Sequence, residues 1–287
     1  MTPLTGIRVV NAGVNLPADA AAARLTQLGA SVSKVEPPDG DPLSLAAPGL
    51  YAELTGGQEI VRLNLKEASG RGALTELLAR ADILLTSSRP SALARLGLGW
   101  TELGPRHPQL VQVAIVGHAA PHQELAGHDL TYASGHGLVA APALPRTLVA
   151  DLGGAERAVS TALALLLARS AGASAERYAE VALADSAGFF ALPLRHGVTG
   201  DGGLLGGADP FYGLYETRDG WIALAALEPK FRTRLVEGLG VEAGAEAFSR
   251  AFANRTATEW ERWAQERDIP LAVVDNGHFE RSFDTGL

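Results

Sequence analysis

Two stretches in the middle of the chain carry the side chains best suited to acid–base chemistry. Residues 127–132 (GHDLTY) contain His128, and residues 148–154 (LVADLGG) contain Asp151 after an apolar run. Imidazole and carboxylate groups can both move protons near neutral pH when they are suitably placed. Each residue also has an ordinary structural interpretation, since Asp151 can cap the helix predicted after it and His128 can be a hydrogen-bonded polar residue. A cap and a ligand-facing carboxylate are compatible roles for Asp151.

Other common catalytic chemistries have little support in the sequence. The chain has no cysteine, which removes thiolate nucleophiles and Cys–Zn sites. Ser134 and Ser186 lie in no GxSxG motif. His118 and His122 have helical spacing, but Pro121 between them disfavours a helix, so we expect no metal site.

A bound nucleotide cofactor is also disfavoured. The turn after the first predicted strand, residues 11–20 (NAGVNLPADA), lacks the spaced glycines of a dinucleotide loop, and the chain contains no GxxxxGKS/T motif. Asp19 stands at the predicted start of the first helix and is interpreted as an ordinary cap, although free amides there could meet an anion.

Composition and charge limit the partners of the protein. The 287 residues are 47% hydrophobic and 20% charged, which is typical of a globular chain of one large domain or two modest ones. A net charge of −8 argues against nucleic acid, so a polyanionic ligand needs local cations. The candidates are Arg62, Lys66, Arg89 and Arg95. Because no apolar run has transmembrane length and the N-terminus does not resemble a signal peptide, we expect a cytoplasmic protein without a membrane partner.

The first half of the sequence alternates strand-like and helix-like segments. Such alternation needs crossover connections and predicts an open, doubly wound α/β layer with a parallel sheet. The predicted strands are 7–11, 31–36, 60–65, 82–86 and 110–116, and the predicted helices are 18–28 and 70–81. From residue 117 to residue 151 the periodicity is lost and glycine, histidine and proline accumulate, which is typical of a functional site.

The second half begins with a strongly apolar predicted helix over 154–169. Residues 178–186 follow, where strand and helix stay open as alternatives, and the glycine-rich segment 200–207 (GDGGLLGG) is the best linker candidate. Beyond this linker the sequence predicts a β-hairpin and three helices. Their ranges are 211–217 and 221–226 for the strands and 230–239, 243–253 and 256–266 for the helices. We therefore predict a large α/β domain over 1–200 and a smaller α+β domain over 205–287.

Six sequence blocks, in order, resemble class III CoA transferases of the carnitine dehydratase/bile-acid-inducible type. The blocks are PLTGIRVVNAG, LTQLGASVSKVEPPDGDP, SSRPSALARLGLG, GHDLTYASG, ADLGG and ALEPKF. The last three are most similar to the α-methylacyl-CoA racemase branch, and the similarity runs from about residue 3 to residue 275. The resemblance implies an open Rossmann-like parallel sheet in the large domain, a smaller α+β domain and an interlocked homodimer.

The resemblance also implies roles for individual residues. His128 and Asp151 become two acid/base groups on opposite faces of the α-carbon of an acyl-CoA, and Glu228 becomes the partner of the histidine. The active site would lie between the large domain of one chain and the small domain of another, so Glu228 could come from a second subunit. Contacts with CoA are expected from Lys66, Arg89, Arg95, Gly127, Asp129 and Tyr132. CoA enters as part of the substrate, and no tightly bound cofactor is expected.

The chain departs from the family pattern at several positions. Pro37 stands where racemases usually offer a basic residue, and residues 56–59 (GGQE) replace a basic run, with Glu59 where a cation is expected. The loop before GHD is altered at residues 117–121, and the sequence ends at Leu287 without the C-terminal return segment of the family. These departures affect CoA affinity more than the acid/base pair.

Three functional hypotheses remain. The first is 1,1-proton transfer on a 2-methylacyl-CoA, as in a racemase or epimerase, which the pairing of His128 with Glu228 favours. The second is a CoA transferase in which Asp151 is the nucleophile and forms mixed anhydride and aspartyl-CoA thioester intermediates. The third is a divergent, non-catalytic CoA-binding protein, which the acidic Glu59 and the missing tail suggest.

Overall fold

A six-stranded parallel β-sheet organises the first of two units in this protein. The computed structural model describes residues 2–172 and 176–275, and the chain divides between Leu192 and Pro193. The glycine-rich segment 200–207, at which the sequence predicts a linker, therefore lies within the second unit.

The order of the strands makes the first unit a Rossmann-like fold, as the sequence predicts. Its strands are β1 (Arg8–Asn11), β2 (Ser31–Glu36), β3 (Glu59–Arg62), β4 (Ile83–Thr86), β5 (Val111–Val116) and β6 (Tyr178–Ala182). They lie in the order β3-β2-β1-β4-β5-β6, and every neighbouring pair is parallel. The chain moves outward in one direction from β1 and in the other from β4, so a topological switch point lies between these two strands.

Helices cover both faces of this sheet. The helices of the first unit are α1 (Asn15–Gln27), α2 (Pro42–Ala46), α3 (Pro48–Leu54), α4 (Ala68–Leu78), α5 (Pro90–Arg95), α6 (Trp100–Arg106), α7 (Asp129–Gly135), α8 (Val149–Ser170) and α9 (Leu183–Phe190). A short helix, α10 (Leu192–Arg195), crosses the boundary to the second unit. Residues 178–186, for which the sequence left strand and helix open, contain both, because β6 passes directly into α9. No helix among the residues that the structure describes is both long enough and apolar enough to span a membrane.

Strand residues alternate between two hydrophobic cores, one on each face. Ile83 and Leu85 of β4 pack with residues of α1 and α8, whereas Leu84 points to the opposite face and packs with residues of α4. Successive side chains of a strand point to opposite faces, so a strand buried on both faces must be apolar throughout. This requirement explains why the central strands appear in the sequence as continuous apolar runs.

Two helices begin earlier than the sequence predicts. Helix α1 begins at Asn15, so Asp19 lies in its second turn and is fully buried instead of capping the helix. Helix α8 begins at Val149, so the prediction that Asp151 caps this helix is wrong. In both cases a carboxylate from elsewhere in the chain binds the first backbone N–H groups of the helix, which the local sequence does not reveal.

The second unit is a small antiparallel sheet covered by helices. Its elements are β7 (Tyr212–Glu216), β8 (Trp221–Ala225), β9 (Leu271–Val273), α11 (Pro229–Leu239), α12 (Ala245–Phe252) and α13 (Ala257–Gln265), with a π-type turn over Leu204–Ala208. The predicted hairpin is confirmed by the β7–β8 pairing. Strand β9 was missed because it is only three residues long and pairs with a distant strand. Residues 276–287, the predicted end of the small domain, lie outside the described residues.

Candidate active site

A cavity of about 370 Å³ opens at the carboxyl ends of β1, β4 and β5. We call it the switch-point cavity, since it lies where the strand order reverses, the usual ligand site of open α/β sheets. Its wall is formed by segments 14–17, 87–89, 115–117 and 125–128 together with Leu43, Gln123, Tyr132, Asp151 and Leu183. The fold therefore brings His128 and Asp151, which are separated in the sequence, to one cavity.

His128 is held at the entrance of helix α7 by its backbone. Its N–H group donates a hydrogen bond to the Thr131 Oγ1 atom (3.1 Å), and the Thr131 hydroxyl donates to the His128 carbonyl oxygen (2.8 Å). The residue is solvent-exposed and lines the cavity. The local sequence HDLT thus fixes the main chain at His128, a residue that lines the cavity.

Asp151 lies in the first turn of α8, and its carboxyl group has a raised pKa. Burial, and to a smaller extent the negative charge of Asp129, raise the pKa of this carboxyl group to about 6 against the opposing influence of the His128 side chain. The electrostatic influence of His128 on Asp151 places the two groups in one environment. A carboxyl group with a pKa close to neutral can both accept and donate a proton, which suits a general acid/base.

Asp129 positions Asp151 through the backbone of α8. The Asp129 Oδ1 atom accepts hydrogen bonds from the backbone N–H groups of Ala150 (2.7 Å) and Asp151 (3.0 Å). Its side chain is 4% exposed and does not line the cavity. A carboxylate at this position satisfies two free helix donors and interacts favourably with the helix dipole. The structure thus gives Asp129 a different role from the predicted contact with CoA, namely that of a helix cap.

Replacing Asp129 should loosen the start of α8. Asp129→Ala leaves two backbone N–H groups without their acceptor, and we expect the free energy of unfolding to fall by about 1–3 kcal/mol. Asp129→Asn keeps the Oδ1 acceptor and should cost less, while removal of the negative charge lowers the pKa of Asp151 below its value of about 6. Urea unfolding followed by circular dichroism checks the first effect, and NMR titration of the Asp151 carboxyl carbon checks the second. Equal stability of Asp129→Ala and the wild type would remove the capping role.

Tyr132 forms a buried wall of the cavity, and two glycines make room for it. A Cβ atom at Gly117 or Gly127 would collide with the Tyr132 ring, which explains the glycine in the GHDLTY stretch. Burial raises the pKa of the Tyr132 hydroxyl, the Asp151 charge adds to the increase, and Arg89 opposes it. The phenol therefore stays neutral at physiological pH and can donate a hydrogen bond.

The predicted phosphate-binding cations are not all at one place. Arg89 is exposed and lines the switch-point cavity. Arg95 lines a second cavity of about 450 Å³ with Arg71 and Arg106. Lys66 is exposed and lines neither of these two cavities.

Glu124 is an acidic neighbour of these arginines that the sequence analysis missed. Hydrogen bonds from the Ser91 backbone N–H (2.9 Å) and hydroxyl (2.8 Å) hold the pKa of Glu124 below its ordinary value, and the charges of Arg89 and Arg95 lower it further. Its carboxylate therefore stays ionised, within electrostatic range of both arginines. An anionic ligand that binds the two arginines must compete with this charge.

Glu228 belongs to the second unit and is exposed at the start of α11. Its carbonyl oxygen accepts hydrogen bonds from the N–H groups of Phe231 (2.9 Å) and Arg232 (3.1 Å), so the residue is the N-cap of that helix through its backbone. Among the residues that the structure describes, no hydrogen bond or ion pair of its carboxylate is found. Its pairing with His128 stays a prediction.

The wall segment 14–17 was not singled out by the sequence analysis. The Val14 N–H donates to the Ser87 Oγ atom (2.9 Å), and the Ser87 hydroxyl donates to the Val14 carbonyl oxygen (3.0 Å). This pair of bonds ties the loop after β1 to the loop after β4. The sequence pointed to this wall only in one way: the loops that contain Val14 and Ser87 each follow a predicted strand, where ligand sites of open α/β sheets lie.

An open α/β fold with a carboxyl group of raised pKa in its switch-point cavity is typical of many enzymes. Comparison with known proteins identifies the family. CoA-transferase family III matches residues 4–278, so the chain belongs to that family. It is 28% identical to a cinnamoyl-CoA:phenyllactate CoA-transferase of Clostridium sporogenes, over 94% of this chain and 77% of the relative. It is 27% identical to an alpha-methylacyl-CoA racemase of Mus musculus, over 90% of this chain and 74% of the relative.

Solved structures agree on the fold. A hypothetical protein of Mycobacterium tuberculosis superposes with a TM-score of 0.80 at 24% identity, over 96% of this chain and 86% of the other. A CAIB/BAIF family protein of Brucella suis superposes with a TM-score of 0.78 at 20% identity, over 96% of this chain and 84% of the other. The predicted family and fold class are thus confirmed, and the relatives include both transferases and racemases.

Proposed function

We propose that this protein catalyses 1,1-proton transfer at the α-carbon of a 2-methylacyl-CoA, as a racemase or epimerase does. The observation that carries the proposal is that His128 and Asp151 line one cavity, in which the His128 side chain acts to lower the pKa of Asp151. Membership of a family whose relatives are CoA transferases and acyl-CoA racemases supports a CoA thioester as the substrate.

The proposed reaction breaks and remakes one C–H bond. One group takes the α-proton, the electron pair of that bond passes into an enolate of the thioester, and the other group returns a proton to the opposite face. Each positioned acid or base contributes roughly 10²–10⁴-fold to such a step. The neutral Tyr132 hydroxyl is a donor that can stabilise the enolate oxygen, where negative charge develops. Because proton loss at one face is balanced by proton gain at the other, no co-reactant is needed.

The proposed substrate brings its CoA as part of the molecule, and no separate tightly bound cofactor takes part. Arg89 stands at the cavity and is the first candidate for a phosphate contact, with Arg95 and Lys66 as further cations. Glu228 pairs with His128 if a second copy of the chain supplies it in a homodimer. A sedimentation measurement showing only monomers would remove that part of the proposal.

A CoA transferase is the second candidate, and the similarity to a cinnamoyl-CoA:phenyllactate CoA-transferase favours it. In that reaction the Asp151 carboxylate attacks the thioester carbonyl and expels the CoA thiolate, which gives a mixed anhydride. The thiolate then attacks the Asp151 carbonyl and releases the first acid, and an acceptor carboxylate repeats the sequence in reverse. This chemistry needs Asp151 but does not need His128. A non-catalytic protein that only binds CoA thioesters is the remaining alternative.

One substrate separates these functions. Pure enantiomers of 2-methylbutanoyl-CoA are incubated with the protein in D₂O, and configuration and deuterium content are followed by chiral chromatography and mass spectrometry. Inversion with uptake of one deuterium at the α-carbon supports the racemase. Transfer of CoA to an added carboxylate, with a covalent intermediate that hydroxylamine cleaves, supports the transferase instead. Saturable binding without either reaction leaves the non-catalytic alternative.

A further inference from the structure

A lysine and two aspartates are buried together next to residues that line the switch-point cavity. The side chains of Lys34, Asp19 and Asp41 are all 0% exposed. The Lys34 Nζ atom forms ion pairs with both carboxylates, at 2.7 Å from the Asp41 Oδ2 atom. Lysine and aspartate are almost never fully buried unless they are paired, so such a cluster calls for a reason.

The two carboxylates of this cluster are not equivalent. Burial raises the pKa of Asp19 to about 7 against the opposing charge of Lys34, and the Asp19 Oδ2 atom has no hydrogen-bond partner among the described residues. Burial would also raise the pKa of Asp41, but hydrogen bonds from Lys34 and from backbone N–H groups outweigh it and lower that pKa. Asp41 is therefore the firmly ionised partner of Lys34.

Asp41 uses its charge to hold the backbone of two other segments. Its Oδ1 atom accepts a hydrogen bond from the Leu43 N–H (2.8 Å), and both of its oxygens accept from the Asn15 N–H (3.2 and 3.1 Å). Asn15 has a φ angle of 66°, the left-handed conformation that residues other than glycine rarely adopt. The carboxylate of Asp41 thus bonds a residue 26 positions away whose left-handed conformation is costly for residues other than glycine, although less so for asparagine than for most.

The residue held in this way belongs to the cavity. Val14, Asn15, Leu16 and Pro17 form one wall, and Leu43, whose N–H Asp41 also binds, lines the same cavity. A change of the Asn15 backbone out of the left-handed region would redirect the whole segment, because φ and ψ set the path of the chain on both sides. The position of this wall therefore depends on the buried Lys34–Asp41 ion pair.

We propose that Asp41, fixed by Lys34, is a positioning residue of the active site that holds Asn15 left-handed and so sets the wall against which the acyl thioester binds. The proposal rests on the proposed function for the identity of the ligand. It assigns a role to the DGDP stretch that a purely structural ion pair would not have. A purely structural pair stabilises the protein, and its loss does not act on ligand affinity through residue 15.

A double-mutant cycle between residues 41 and 15 tests the proposal. Asp41→Asn removes the charge that binds the Asn15 N–H, and we expect the Kd for 2-methylbutanoyl-CoA, measured by calorimetry, to rise about tenfold. Asn15→Gly makes the left-handed conformation accessible without the carboxylate, so the double variant should recover about threefold of that loss. Asp41→Glu keeps a charge for Lys34 but displaces it from Asn15. It should show the same loss and the same recovery, and it replaces Asp41→Asn if that variant does not fold.

Tyr51→Phe is the matched control. The Tyr51 hydroxyl bonds the Glu36 Oε1 atom (2.5 Å) beside the same cluster, with its ring centre 6.0 Å from the Lys34 Nζ atom, but Tyr51 does not line the cavity. Its Kd should equal that of the wild type.

Two results would overturn the proposal. One is an unchanged Kd in Asp41→Asn, and the other is an Asn15→Gly effect that is the same with and without Asp41. The same cycle read by urea unfolding needs no ligand. If the wild-type protein binds no acyl-CoA, the proposed function is refuted. The free energies of unfolding of the two single variants and the double variant still show whether residues 41 and 15 are coupled, and so whether Asp41 holds Asn15.

Discussion

Asp151→Asn is expected to slow the inversion of 2-methylbutanoyl-CoA by about 10²–10⁴-fold, the usual contribution of one positioned acid or base. Asparagine has nearly the same shape as aspartate but can neither accept the α-proton nor attack a thioester. Binding should change little, so the loss falls on kcat, as expected for an interaction that matters in the transition state. Steady-state kinetics with chiral product analysis measures the effect. CoA transfer to a carboxylate should be lost equally, because the nucleophile is gone.

Asp185→Asn is the matched control for that experiment. Asp185 also lies in the first turn of a helix, α9, but it is exposed and does not line the cavity. Its replacement should leave inversion unchanged. A rate for Asp151→Asn within a factor of about ten of the wild type, below the range for a catalytic acid or base, would show that Asp151 is neither base nor nucleophile.

The raised pKa of Asp151 predicts how stability and activity depend on pH. Its pKa of about 6 in the folded protein lies above the ordinary value of 3.8, so this group favours folding at low pH, and that contribution is lost as the pH rises through 6. Asp151→Asn should therefore be at least as stable as the wild type at pH 8, which separates lost activity from lost folding. In the wild type, activity that uses the ionised carboxylate should fall as the pH drops below about 6.

The parts of the fold that the sequence could predict are those set by local pattern. The apolar runs of β4 and β5 and the hairpin of β7 and β8 depend on residues that follow one another in the chain, so periodicity and turn residues were enough. The family blocks likewise placed His128 and Asp151 in one site. That pairing needed the resemblance, because neither residue is distinctive alone.

The parts that could not be predicted depend on contacts between distant residues. Asp129 caps a helix that begins 20 residues later in the chain, and Asp41 holds the start of a helix 26 residues earlier. In each case the capping side chain comes from a distant part of the chain, so a search for capping residues immediately before the helix selected Asp151 and Asp19 instead. The buried position of Lys34 was hidden for the same reason, since a single lysine in a β-strand is ordinarily exposed.

His128→Ala is expected to separate the two enzymatic proposals. In a racemase with one base on each face of the α-carbon, this variant lacks the base of one face. Inversion of 2-methylbutanoyl-CoA should therefore also fall about 10²–10⁴-fold. Asp151 still serves its own face and can exchange the α-proton of one enantiomer for deuterium without inverting it. In a transferase, CoA transfer should continue, because Asp151 alone supplies the nucleophile. Chiral chromatography, deuterium content and CoA transfer are measured on the same protein.

His122→Ala controls for the loss of an imidazole close to the site. His122 is exposed, lies six residues before His128 and does not line the cavity, so its variant should behave as the wild type. Deuterium uptake confined to one enantiomer in His128→Ala is the most informative outcome, because a single-base mechanism cannot produce it together with inversion in the wild type. Undiminished inversion in His128→Ala would instead exclude the imidazole as the second base. CoA transfer without inversion in the wild type would leave the Asp151 nucleophile as the chemistry that the cavity supports.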